Sequence, residues 1–95
     1  MENLKVKNNE SEQRFEINLE EATAFIKYQK LGEDVYDLFH TEVPPQFAGK
    51  GVGGSLTKGT LEYIKAEGKQ IIPSCPFVAA YIKRHQEYQE LVKQL

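Results

Sequence analysis

Apolar residues in the first part of the chain recur at every second position. Leu4 and Val6 alternate with polar neighbours, and so do Phe15, Ile17 and Leu19. A period of two marks a strand with one face buried. Asn8-Asn9-Glu10-Ser11-Glu12 lies between these runs and has the composition of a turn. A third run, Ala22 to Leu31, carries Phe25, Ile26 and Tyr28 and meets a fourth, Val35 to Val43, through Gly32-Glu33-Asp34. Four such runs with short polar connections predict an antiparallel meander of four strands.

Beyond the fourth run the period lengthens. Val52, Leu56, Thr60, Tyr63 and Ile64 fall on one side of a helix, with Lys58, Glu62 and Lys65 on the other. This predicts an amphipathic helix from Gly53 to Glu67, with Gly68 as a left-handed stop. Gly59 in its middle costs about 1 kcal/mol against Ala, so the spacing predicts a close approach to the sheet there. Lys69-Gln70-Ile71-Ile72 then reads as a short strand ended by Pro73, and Phe77 to Leu95 as one or two short amphipathic helices. A strand, turn, helix and strand in sequence predict a right-handed crossover between parallel strands. The fold class is therefore α/β of the α+β kind, a mixed sheet in one domain spanning residues 1 to 95.

Composition narrows the function classes. A formal net charge of −2 gives no global field for nucleic acid, although Lys50, Lys58, Lys65, Lys69, Lys83 and Arg84 gather in the second half. No apolar run is long enough for a membrane span, and the first residues lack a signal-peptide core, so the expected location is cytoplasmic. The single cysteine fits a reducing compartment. One Cys and two His residues without ligand spacing argue against zinc or another structural metal.

The densest chemical signal is Val43-Pro44-Pro45-Gln46-Phe47-Ala48-Gly49-Lys50-Gly51-Val52-Gly53-Gly54, which runs into Ser55-Leu56. Glycine lets an anion approach bare N–H groups, and a helix start leaves such groups unpaired beside a partial positive charge. The segment reads as a phosphate or pyrophosphate cradle. A P-loop would need a lysine before Ser55, where Gly54 stands, and a dinucleotide turn would follow the first strand of a parallel unit. Neither matches a turn preceded by four antiparallel strands.

The order of four strands, glycine turn, helix, strand and helix resembles the GNAT acetyltransferase superfamily. His40-Thr41-Glu42-Val43-Pro44, Gly49-Lys50-Gly51-Val52-Gly53 and Pro73-Ser74-Cys75-Pro76-Phe77-Val78 resemble its very small members of about a hundred residues. The resemblance covers nearly the whole chain and implies binding of acetyl-CoA and transfer of its acetyl group. It implies that residues Phe47, Ala48, Gly49, Lys50, Gly51, Val52, Gly53 and Gly54 hold the pyrophosphate. With Leu56 as the first core leucine, Ala48 stands where the superfamily usually has Gln or Arg. Starting the turn at Gln46 matches that letter but shifts the helix start.

Pro44 and Pro45 cannot donate to a strand ladder, and Val43 is held extended by the proline after it. Sequence alone allows an ordinary strand end here. The resemblance implies instead a splay of the fourth and fifth strands, with the pantetheine arm beside Val43. Cys75 then falls next to the thioester, where it is either an inert buried thiol or an acyl-accepting thiolate activated by the helix that follows. His40 and Glu42 lie two apart on a strand and share one face, expected to look toward the acetyl site, where either can deprotonate an amine. Tyr81 is a weaker candidate for protonating the departing thiolate. Arg84 and His85 read as a solvated helix end, with Arg84 able to reach a phosphate.

The sequence therefore predicts an acetyl-CoA-dependent N-acetyltransferase for a primary amine, acting directly or through acetyl-Cys75. The competing readings are a non-catalytic acyl-CoA-binding or regulatory module and a small interaction protein without a cofactor. The acceptor is not written in the chain, and a monomer is compatible with its length.

Overall fold

The computed structural model describes residues 5–94. Strands β1 (Lys7–Asn9), β2 (Arg14–Asn18), β3 (Thr23–Lys30) and β4 (Val35–Glu42) form a meander; α1 (Val52–Ala66) leads to β5 (Gln70–Ile72), and α2 (Pro76–Arg84) follows. The sheet order is β1-β2-β3-β4-β5, antiparallel up to β4, with β5 parallel to β4. This is the mixed sheet the alternation predicts. Leu4, read as part of the first strand, and Leu95, read as part of the C-terminal helices, lie outside the described residues.

One face of the sheet builds the core. Phe15, Ile17, Ala24, Ile26, Tyr28, Tyr36 and Leu38 from the strands join Leu56, Leu61 and Ile64 of α1 and Val78 and Ile82 of α2 in a single buried cluster. Each such aliphatic side chain stabilises the fold by about 1.5–3 kcal/mol relative to exposure. The alternate strand residues, among them Asn18, Lys27 and Gln29, look outward and are exposed. All helices thus pack on one side, and the opposite sheet face stays open.

Several boundaries differ from the sequence reading for identifiable reasons. Asn8 and Asn9 belong to β1 rather than to the turn, because their side chains are used within the sheet. Tyr28 donates its hydroxyl to Asn8 Oδ1 (2.7 Å), and Asn9 Nδ2 donates to Glu16 Oε1 (3.1 Å). The reversal occupies residues 10–13 and ends on Gln13, a non-glycine residue with φ of 53°. In α1 the buried face is Val52, Leu56, Thr57, Thr60, Leu61 and Ile64. Tyr63 lies at its border, 36% exposed, with its ring edge-on to Phe15 at 5.2 Å. Buried Thr57 is satisfied by donating to Gly53 O (2.8 Å).

The glycines in and after α1 act as expected. Gly68 has φ of 71°, its N–H bonds Lys65 O (3.0 Å), and the Lys69 N–H bonds Ile64 O (3.2 Å). That pair of bonds is a Schellman ending. Gly59 lies against Val6 so closely that a β-carbon would overlap the Val6 side chain. The C-terminal segment is half α-helix and half 3₁₀-helix, since Gln86–Leu91 winds more tightly after His85. Tyr88 ties this turn to α1 by donating to Glu62 Oε2 (2.6 Å), and Lys93 N–H bonds Ile71 O (2.9 Å) at the edge of β5.

Candidate active site

The proline pair ends β4 at Glu42, and Pro45–Phe47 forms one 3₁₀ turn before the glycines. Gly49 and Gly51 then take φ of 78° and 81°, values that cost an L-residue about 1 kcal/mol or more. Gly51 caps α1 in the left-handed conformation, and no side chain caps the helix or places an acid in its first turn. Ser55 is the first residue of α1 whose N–H is bonded within the helix start, to Gly51 O (3.0 Å). The N–H groups of Gly49, Gly51, Val52, Gly53 and Gly54 have no protein acceptor among the described residues. Five free amides at the positive end of a fifteen-residue helix are donors of the kind that suit an anion.

These amides border a cavity of about 290 Å³, closed on its other sides by Val43, Phe47 and Phe77. Phe77 stands on the backbone of Gly53: a β-carbon there would lie 2.8 Å from Phe77 Cζ. The starts of α1 and α2 therefore meet at this contact. Ala48 contributes only a methyl group to the rim, and Leu56 is fully buried one turn into the helix. A larger cavity, about 520 Å³, lies elsewhere, against Pro73, Ala79, Lys83 and Gln89. Its lining includes none of the free amides, which border only the smaller cavity; Cys75 lines neither and lies two residues before Phe77 of the smaller one.

Cys75 is the N-cap of α2 and is 5% exposed. Its N–H bonds Leu38 O (2.8 Å), the last link across from β4 before the two segments part. Burial pushes the thiol up, but the Thr41 hydroxyl and the N–H groups of Val78, Phe77 and Thr41 outweigh it and hold the pKa below the ordinary thiol value. The Thr41 hydroxyl lies 3.3 Å from Cys75 Sγ. A lowered pKa at a helix N-terminus increases the thiolate fraction, the nucleophilic form of a cysteine.

His40 and Glu42 do share a face. The His40 Nε2–H donates to Glu42 Oε1 (3.2 Å), and the side chains are 51% and 60% exposed. Their cross-strand partners are Lys27 and Phe25, so both look toward the open sheet face, while Thr41 pairs with buried Ile26 and looks toward Cys75. On the helix side, Val43 and Phe47 pack against the core cluster that includes Cys75 and also border the cavity of the glycine turn, while His40 and Glu42 lie across the strand. Arg84 and His85 lie at the other end of α2, about 13 Å along the helix from Cys75. The Tyr81 ring is buried and stacks on His85 at 4.0 Å, and burial followed by Glu87 and Glu62 raises its pKa.

Two contributors escape the sequence reading. Thr41 sits between the two candidates named from its own strand, and strict alternation assigns it to the wrong face. Phe77, in the sequence only the first apolar residue of the C-terminal helices, is 42% exposed at the cavity; its place directly after Cys75-Pro76 is the signal that could have found it. Among the described residues no group of three or more His, Cys, Asp or Glu side chains could hold a metal ion, and no helix is long and apolar enough to cross a membrane.

Comparison with known proteins agrees with this architecture. The mouse and zebrafish proteins named Protein NATD1 are each 26% identical to the chain, over 84 and 93 residues, covering 86% and 94% of it and 76% and 84% of their own lengths. The human Protein NATD1 is 31% identical over 62 residues, which is 65% of this chain and 55% of that one. The solution structure of a GCN5-like protein from Staphylococcus aureus superposes with a TM-score of 0.71 at 31% identity, covering 100% of this chain and 93% of that one. A family model described as GCN5-related N-acetyl-transferase matches residues 14–91. Because that match takes in the sheet from β2 onward, the glycine turn, Cys75 and both helices, the chain belongs to the GCN5-related N-acetyltransferase family.

Proposed function

We propose that the protein is an acetyl-CoA-dependent N-acetyltransferase acting on a primary amine. The observation that carries the reading is the meeting of two uncapped helix starts, one presenting free amides and the other a thiol. The amides of Gly49 and Gly51–Gly54 suit a pyrophosphate, and a β-carbon at position 53 would crowd the same space. Val43 and Phe47 supply apolar walls for a pantetheine arm, beside the stretch of β4 past Leu38 that has no partner in β5. Bound acetyl-CoA supplies the activated thioester.

The residues divide the transfer between the two faces of β4. On the helix side, Cys75 Sγ as thiolate attacks the thioester carbonyl carbon; the new bond is Sγ–C, the bond broken is C–S to coenzyme A, and the electron pair leaves with the coenzyme A thiolate. On the open side, Glu42, or His40 bonded to it, takes the proton from the incoming ammonium. The neutral amine then displaces Cys75 and forms the amide. In the direct route the same base serves and the amine attacks the thioester itself.

Intact and peptide mass spectrometry after mixing the protein with acetyl-CoA and no amine tests the assignment. The expected product carries one acetyl group on the peptide holding Cys75, removed on adding an amine that the enzyme accepts. No adduct, with full transfer activity in Cys75→Ala, leaves only the direct route. Stabilisation by coenzyme A with no turnover of any amine in a panel identifies a binding module instead.

A further inference from the structure

Strand β4 is irregular. Tyr28 of β3 pairs with Leu38, and the next residue back, Lys27, pairs with His40, so Phe39 is an extra residue. One inserted residue inverts the alternation beyond it. Leu38 is fully buried on the helix side, so a regular strand would turn position 40 and position 42 to that side and position 41 away from it. The insertion gives the reverse, with Thr41 on the side of Cys75 and with His40 and Glu42 on the open face.

We propose that Thr41 is the positioning residue of the Cys75 thiol and that the bulge at Phe39 is what places it there, separating the thiol from the base pair His40 and Glu42. The assignment rests on the reading of Cys75 as the acyl-accepting group. The groups that face Sγ are the Thr41 hydroxyl and N–H of β4 and the N–H groups of Phe77 and Val78 of α2, none of them charged. The contacts that favour the thiolate here are hydrogen bonds from uncharged groups, with no imidazole among them. Of these donors only the Thr41 hydroxyl belongs to a side chain, so it can be removed without disturbing either backbone. It also ties the N-cap of α2 to β4 beyond Asp37, where β4 has no partner in β5.

The chain has one cysteine, so a carbon-13 label at the cysteine Cβ gives a single resonance whose pH dependence reports Cys75 alone. Thr41→Val keeps the shape and removes the donor, and the expected result is a higher titration midpoint with a severalfold smaller thiolate fraction at neutral pH. Thr41→Ser restores the wild-type midpoint. If Thr41→Val does not fold, as judged by its amide spectrum, Thr41→Ala against Thr41→Ser makes the same comparison. Equal midpoints in the wild type and the variant lacking the hydroxyl overturn the proposal, and so does a Thr41→Ser midpoint that stays with that variant. The titration contains no acetyl-CoA, so absence of acetyl transfer with this difference intact sinks the acyl-transfer reading alone.

Discussion

The ring of Phe77, second residue of α2, rests on the backbone of Gly53, second residue of α1, so closely that a β-carbon at position 53 would come within 2.8 Å of Cζ. The contact couples the glycine turn to the segment that carries Cys75. Gly53→Ala should therefore push the Phe77 ring into the cavity. Because the colliding atom is the tip of a side chain, the ring can yield, and the gain of about 1 kcal/mol in helix propensity offsets the strain. The expected result is a nearly unchanged melting temperature with coenzyme A affinity lowered about tenfold, or roughly 1.4 kcal/mol. Calorimetry showing wild-type affinity for Gly53→Ala contradicts the close fit of turn and ring.

Gly59 offers the opposite outcome. Its neighbour is the branched Val6, which covers α1 from the start of the chain and cannot swing away as a ring tip can. Gly59→Ala should destabilise by about 1–3 kcal/mol, the cost of overpacking, despite the better helix propensity of alanine. Thermal unfolding measures the sign directly. A more stable Gly59→Ala variant means that Val6 does not press on the helix.

Tyr88 and Tyr36 predict the alkaline limit. Burial, and then the carboxylates of Glu62 and Glu67, raise both phenols above the ordinary tyrosine value. A group whose folded pKa lies above its unfolded one contributes stability that is fully present below the unfolded value, near 10, and is lost as pH rises through the folded value. Stability should thus hold to about pH 10 and fall beyond it. Tyr88→Phe removes the bond to Glu62, costing about 1 kcal/mol at neutral pH because the exposed carboxylate returns to water. Its loss of stability above pH 10 should be shallower than that of the wild type. Parallel wild-type and variant curves in that range count against the assignment.

Glu16 sets the acid side. Burial raises this carboxyl, but hydrogen bonds from Arg14, Asn9 and Asn18 and the charge of Arg14 outweigh it, so the pKa lies below the ordinary value. The stability it contributes is present above the unfolded carboxyl value, near 4.3, and is lost as pH falls through the folded value. Glu16→Gln should cost about 1–2 kcal/mol at neutral pH, since Arg14, 2.8 Å away, loses its charged partner and the amide nitrogen of Gln cannot accept from Asn18. The difference from the wild type should close on acidification. A gap unchanged at low pH would mean that the cost is steric.

What the sequence made legible was whatever obeyed a regular period. Phe15, Ile17, Ile26 and Tyr28 alternate as written and lie in the core, and Gly68 and Gly59 mark a helix end and a close contact as their chemistry requires. The glycine turn was readable because uncapped amides need no tertiary partner to be recognised. The arrangement around Cys75 was only half readable: a thiol before a helix is visible in the chain, but the residue facing it is not. Phe39 is one more apolar residue in a strand, and only pairing with β3 shows that it is an insertion that exchanges Thr41 for His40 and Glu42. Asn8 and Asn9 were misplaced for a related reason, since asparagine favours turns unless a distant tyrosine or glutamate binds its side chain.

Titration of the nitrogen-15-labelled protein with coenzyme A locates the pyrophosphate, which we place at the start of α1. Saturable shifts are expected, largest at the amides of Gly49, Gly51, Val52, Gly53 and Gly54, with Phe77 following them. No saturable change, or shifts confined to the cavity between Pro73 and Gln89, would contradict it.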